Sequence, residues 1–134
     1  MVPVIAAALL ILAQGLGPST RVEQVPLIGN EGPDFDACIG IGRIATLEPS
    51  LPVREQPDDY AREKDRLAPS TLVWLCEKGG GETGEDWQGI VYPSGEHQEL
   101  GDCRVSSPVS EPRPYAGPCR SGWVIARDIR LVAG

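Results

Sequence analysis

In its pattern of apolar and polar positions, the chain opens on an uncharged apolar run from Val2 to Ala13, then shows no sustained periodicity until about Asp36. From there, short stretches rich in β-branched and aromatic residues alternate with Gly, Pro and polar clusters, the pattern of strands joined by turns. The predicted strands are Gly42 to Leu47, Leu51 to Arg54, Thr71 to Glu77, Trp87 to Tyr92, Ser121 to Ala126 and a closing Arg130-Leu131-Val132. Thr71 to Glu77 is the clearest, rich in strand formers and followed by Gly79-Gly80-Gly81; Trp87 to Tyr92 is its expected hairpin partner. Tyr60 to Leu67 reads as a helical turn, too polar and short to anchor a core. Many short strands without a convincing helix predict an all-β domain, a small barrel or sandwich.

The N-terminal run is well short of the roughly 20 apolar residues that a membrane-spanning helix needs. Its position fits the apolar region of a secretory signal, and Ala13-Gln14-Gly15 supplies the small residues of a cleavage site. Residues 1–15 are therefore expected to be a signal peptide cut after Gly15, with no stable membrane insertion afterwards and a periplasmic or secreted product. No Lys or Arg precedes the run, so an uncleaved anchor or a buried strand is the alternative. Residues 16–35, broken by Pro18, Pro26 and Pro33, read as a flexible leader. Within it Val22 to Ile28 can dock as an edge strand, Pro26 arguing against a central one. The domain is expected over residues 36–134.

Charge narrows the partners. Twelve Lys and Arg stand against 19 Asp and Glu, a formal net charge of −7 with no basic cluster to offset it, so nucleic acid is not an expected partner. Gly 16, Pro 13 and only 5% aromatic residues describe a loop-rich chain with little apolar surface to bury, which covalent staples would help. The four cysteines, Cys38, Cys76, Cys103 and Cys119, are candidates. None has the close spacing of a zinc knuckle, and the one histidine, His97, has no neighbouring cysteine, so two disulfides are expected rather than a metal site. Paired cysteines and an export signal support each other, because disulfides persist in oxidising compartments.

No catalytic fingerprint is present: no G-x-S-x-G, H-E-x-x-H, P-loop or Rossmann motif. The Gly79-Gly80-Gly81 run does not end in G-K-[ST] and reads as a hairpin loop. The acidic pairs at Asp58-Asp59, Glu85-Asp86 and Glu96-Glu99 fall in Gly- and Pro-flanked loops, where carboxylates are solvated rather than poised for acid–base work. The E-T-G-E-D loop lacks the ligand spacing of an EF-hand. A catalytic thiol would have only His97 as a partner. No enzyme and no cofactor is expected.

The order of the pieces resembles the bacterial SH3-like domain of exported and envelope proteins. Leu51-Pro52-Val53-Arg54-Glu55-Gln56-Pro57 stands at that family's L-N-V-R-x-G-P signature. Leu72-Val73-Trp74-Leu75-Cys76 and Asp86-Trp87-Gln88-Gly89-Ile90-Val91 follow. Gly122-Trp123-Val124 then leads into a closing turn and strand over Ala126 to Leu131. Pro52 and Gln56 depart from the usual Asn and Gly, and roughly Ser94 to Arg120 is an insertion carrying two of the cysteines. The resemblance implies an SH3-like barrel of about five short strands with a long disulfide-closed insertion before the last strands. Cys103 with Cys119 would close the proline-rich insertion and leave Cys38 for Cys76; Cys38 with Cys103 or Cys119 is the alternative.

Trp74 and Trp123 read as core residues. Tyr60, Trp87 and Tyr92 can line the shallow groove that binds extended peptides in related domains, or can cover the barrel's edge as amphipathic rings. The expected function is a non-catalytic exported binding module contacting peptidoglycan or an envelope protein. The alternative is a disulfide-stapled scaffold or inhibitor-like protein that acts through the Cys103–Cys119 loop and presents Pro112-Arg113-Pro114-Tyr115.

Overall fold

Residues 22–81, 84–94 and 99–134 are described in a computed structural model of the chain. The expected signal peptide and its cut after Gly15, the start of the leader and His97 lie outside the described residues.

Among the described residues nine strands form: β1 (Leu27–Ile28), β2 (Gly40–Ile44), β3 (Leu51–Arg54), β4 (Glu63–Leu67), β5 (Leu72–Gly80), β6 (Asp86–Tyr92), β7 (Arg113–Pro114), β8 (Arg120–Ile125) and β9 (Ile129–Ala133). A 3-10 turn, Ala126–Asp128, separates β8 from β9. The domain is all-β, as expected. Seven strands make one antiparallel sheet in the order β4-β3-β8-β6-β5-β2-β9, and β1 pairs with β7 as a separate ribbon. The closed barrel of about five strands is corrected: β4 and β9 are the two edges of an open sheet and do not pair with each other. Tyr60 to Leu67 is corrected too. Its second part forms β4, because Leu67 finds a buried place beside Leu51 while the four charged residues before it lie along the sheet's edge.

Two apolar clusters, one on each face of the central strands, hold the sheet. The first joins Ile44, Leu51, Val53, Leu67, Val73, Ile90, Tyr92 and Val124, with Ile129 packed against it. Its members come from both edge strands and all those between, so the open sheet curls around this cluster. The second gathers Ile28, Ala37, Cys38, Val91, Cys103, Val105 and Tyr115. It is covered by the N-terminal segment and by the insertion between β6 and β8. Along β6, alternate residues serve opposite clusters: Ile90 and Tyr92 face the first, Val91 the second. Every residue of β6 after Asp86 is therefore buried, the continuous burial of a strand covered on both faces.

The cysteines pair as Cys38–Cys76 and Cys103–Cys119. The first ties the approach to β2 to β5, and the second closes the insertion, the arrangement favoured from the sequence. Two disulfides fit an oxidising environment. Among the described residues no helix is long and apolar enough to cross a membrane.

The segment expected to be a flexible leader packs against the domain over its described part. Pro26 is fully buried. Gln24 N–H donates to the Glu55 carbonyl at 3.0 Å, and Trp123 Nε1 donates to the Gln24 carbonyl at 2.8 Å. A bulge at Cys76 shifts the β5–β6 register so that Glu77 pairs with Gly89; Glu77 Oε1 accepts the Leu27 N–H at 3.0 Å. Gly89 is where Pro26 settles, since a Cβ there would lie 2.9 Å from the proline's own.

Candidate functional site

A groove of about 200 Å³ lies between the β2–β3 loop and the β3–β4 loop, with the 3-10 turn as its far wall. Thr46 and Glu48 come from the first loop, Asp59 from the second, and Arg127 and Asp128 from the turn; Leu51, Trp87 and Ile125 supply its apolar surface. The local sequence explains each placement. Glu48 N–H donates to Thr46 Oγ1 at 3.2 Å, curling the loop after β2. Arg54 Nη1 donates to the Ala61 carbonyl at 3.0 Å and fastens the β3–β4 loop to its strand. Ala45 N–H donates to the Asp128 carbonyl at 2.8 Å, joining the turn to the chain just after β2.

Ile125 and Arg127 also line a neighbouring depression of about 400 Å³, bordered by Glu85 and Asp86 of the β5–β6 hairpin. The two hollows therefore share a boundary at Ile125 and Arg127. Arg127 Nη1 pairs with Glu85 Oε1 at 3.3 Å, an exposed contact that breaks at little cost. Two large apolar side chains stand in the loops flanking the groove, Leu47 fully exposed and Tyr60 at 78% exposure.

The three residues expected to line a groove separate. Trp87 lines this one, but it is 3% exposed and offers only the margin of its indole. Its Nε1 is buried without an acceptor among the described residues and lies toward Gly81, where an added Cβ would come within 2.6 Å. Tyr60 follows Asp59 in the flanking loop, and its N–H donates to Asp58 Oδ1 at 3.1 Å. Tyr92 is elsewhere: 1% exposed, it belongs to the first core and donates its hydroxyl to Asp65 Oδ2 at 3.0 Å, an atom that also accepts from Arg120. Burial, with Asp65 adding to it, holds the Tyr92 hydroxyl well above the usual tyrosine range. Tyr92 is a structural residue here.

Trp123 is fully buried, and Trp74 is packed against the second core with Nε1 donating to the Gly101 carbonyl at 3.3 Å. The stapled insertion is likewise occupied with the fold. Tyr115, 7% exposed, donates its hydroxyl to the Cys103 carbonyl and accepts the Cys119 N–H, both at 2.9 Å. Burial holds its hydroxyl above the usual tyrosine range as well. A third depression, of about 470 Å³, lies beside Ile39 and Leu131 at the β9 edge, and its Glu77 is already engaged with the N-terminal segment. Among the described residues no three His, Cys, Asp or Glu side chains converge to hold a metal ion.

Sequence reasoning missed Glu48, Arg127, Asp128 and Ile125 as groove residues. The signal available was weak: polar positions in a loop and in the turn after the Gly122-Trp123-Val124 segment. Comparisons with protein-family models, with curated proteins and with solved structures give no match.

Proposed function

We propose that this chain is a non-catalytic binding module of the bacterial envelope, exported by its N-terminal apolar segment, which contacts peptidoglycan or an envelope protein through the groove beside Trp87. The carrying observation is that groove itself: an apolar floor of Trp87, Ile125 and Leu51 between two loops that each hold an exposed apolar side chain, Leu47 and Tyr60. Support for an SH3-like reading comes from the four resembling segments, which fall in β3, β5, β6 and β8 in the family's order, with a short helical turn before the closing strand. Two disulfides support a periplasmic or secreted setting.

The rival reading, in which the insertion presents Pro112-Arg113-Pro114-Tyr115, is less favoured. Tyr115 is held by the Cys103 carbonyl and the Cys119 N–H, and Arg113 and Pro114 pair with β1.

Co-sedimentation of the oxidised protein with purified sacculi tests the proposal. Saturable retention weakened at least about tenfold by Leu47→Ser with Tyr60→Ala is the expected result. Both residues are exposed, so the fold should survive. Retention that survives both changes contradicts the groove, and no retention removes peptidoglycan as the ligand.

A further inference from the structure

The groove has a sign. Glu48, Asp59 and Asp128 line one hollow, and Glu85 and Asp86 border the other. Against these five carboxylates stand two guanidinium groups, Arg54 and Arg127, and both are engaged, one with the Ala61 carbonyl and one with Glu85. By contrast, the carboxylates of Glu48, Asp86 and Asp128 make no hydrogen bond or ion pair among the described residues. The groove therefore carries an excess of negative charge over an apolar floor.

We propose that the groove takes an extended protein segment bearing lysine or arginine. Long cationic side chains lay their methylene stems along apolar surface while their charged ends stay in water, where Glu48 and Asp128 meet them. Matching of sign speeds encounter and excludes acidic partners. This inference rests on the groove being the binding site and commits that site to a cationic envelope protein rather than to glycan.

The test uses full-length oxidised protein and an end-blocked fluorescent peptide alternating proline with lysine, beside the same peptide with glutamate for lysine, read by fluorescence anisotropy. The lysine peptide should bind saturably and release as salt rises, and the glutamate peptide should not bind. Glu48→Gln and Asp128→Asn should each weaken binding about fivefold at low salt, the upper range for an exposed ion pair. Neither removes a hydrogen bond or ion pair among the described residues, so both should fold. Glu111→Gln, an acid of the stapled insertion, should leave the affinity unchanged and so separates the groove from the overall charge of −7. Equal binding of the two peptides, no binding of either, or equal effects of all three substitutions would overturn the inference. Sacculus retention that still depends on Leu47 and Tyr60 would then show the groove intact as a site and only its cationic ligand wrong.

Discussion

Single residues carry two kinds of constraint here, one of space and one of protonation. Gly89 is spatial: a Cβ would lie 2.9 Å from Pro26 Cβ and 3.2 Å from the Glu77 carbonyl oxygen. Gly89→Ala should therefore destabilise the protein by about 1–3 kcal/mol in denaturant titration, the cost of overpacking a filled site. Gly80 is the control, with nothing within 4 Å of the added atom. Gly80→Ala should be neutral or gain up to about 1 kcal/mol by restricting the unfolded chain. Tyr92 carries the protonation constraint. Its hydroxyl is held above its ordinary range by burial first and by Asp65 second, so the folded state keeps a proton that the unfolded chain releases above about pH 10. That contribution is fully present below about pH 10 and is lost as pH rises beyond it, by up to about 1.4 kcal/mol per pH unit. Tyr92→Phe should cost about 1 kcal/mol near neutrality and flatten the alkaline loss; an unchanged alkaline limb would contradict this assignment. The residue scale is also where sequence reasoning was least informed. Trp87 and Tyr92 looked like half-exposed rings at a strand's edge, and nothing in their own strand reveals that β6 is covered on both faces.

At the scale of elements, the strands with clear apolar content were legible: β2, β3, β5, β6, β8 and β9 all overlap stretches rich in Val, Ile, Leu or Trp. β4 was not, because four of its five residues are charged and only Leu67 is buried. Its charges suit an edge, where Arg66 pairs with Glu63 and Asp65 with Arg120, and where charged side chains discourage pairing with other chains. The N-terminal segment was half legible: a docked edge strand within Val22 to Ile28 is met by β1, but the burial of Pro26 was not foreseen. Pro26 excludes a central strand but not a buried strap, which needs a few backbone bonds and one glycine to lie against. The insertion is the other cover of the second core. Replacing Cys103 and Cys119 together with serine should remove about 3 kcal/mol, the loop-closure value for a separation of 16 residues. The loss should appear first as faster amide exchange around Val105 and Tyr115, before global unfolding. Uniform exchange loss across β2 and β9 instead would contradict a local role for this staple.

For the whole molecule, the stapled insertion is engaged in covering the second core, while the groove proposed to bind is lined from loops around the first core. The loops after β2 and β3, the hairpin end of β6 and the 3-10 turn converge there because β2, β3, β6 and β8 meet around the first core. The overall all-β class could be anticipated from strand-like stretches, and the presence of two disulfides from the four cysteines; their pairing was favoured only through the family resemblance, which set Cys103 and Cys119 in one insertion. The groove's actual lining could not be anticipated, because it is assembled from loop residues more than 80 positions apart, Thr46 and Asp128, that only the sheet order brings together. The most direct measurement is amide chemical-shift mapping of the isotope-labelled, oxidised protein titrated with soluble sacculus fragments and with the lysine peptide. The account predicts that, with whichever binds, the shifts gather at Thr46 to Ser50, Asp58 to Tyr60, the Trp87 indole and Ile125 to Asp128. Shifts gathered instead at Asp102 to Arg120, with the groove silent, would contradict it and move the binding site to the stapled insertion.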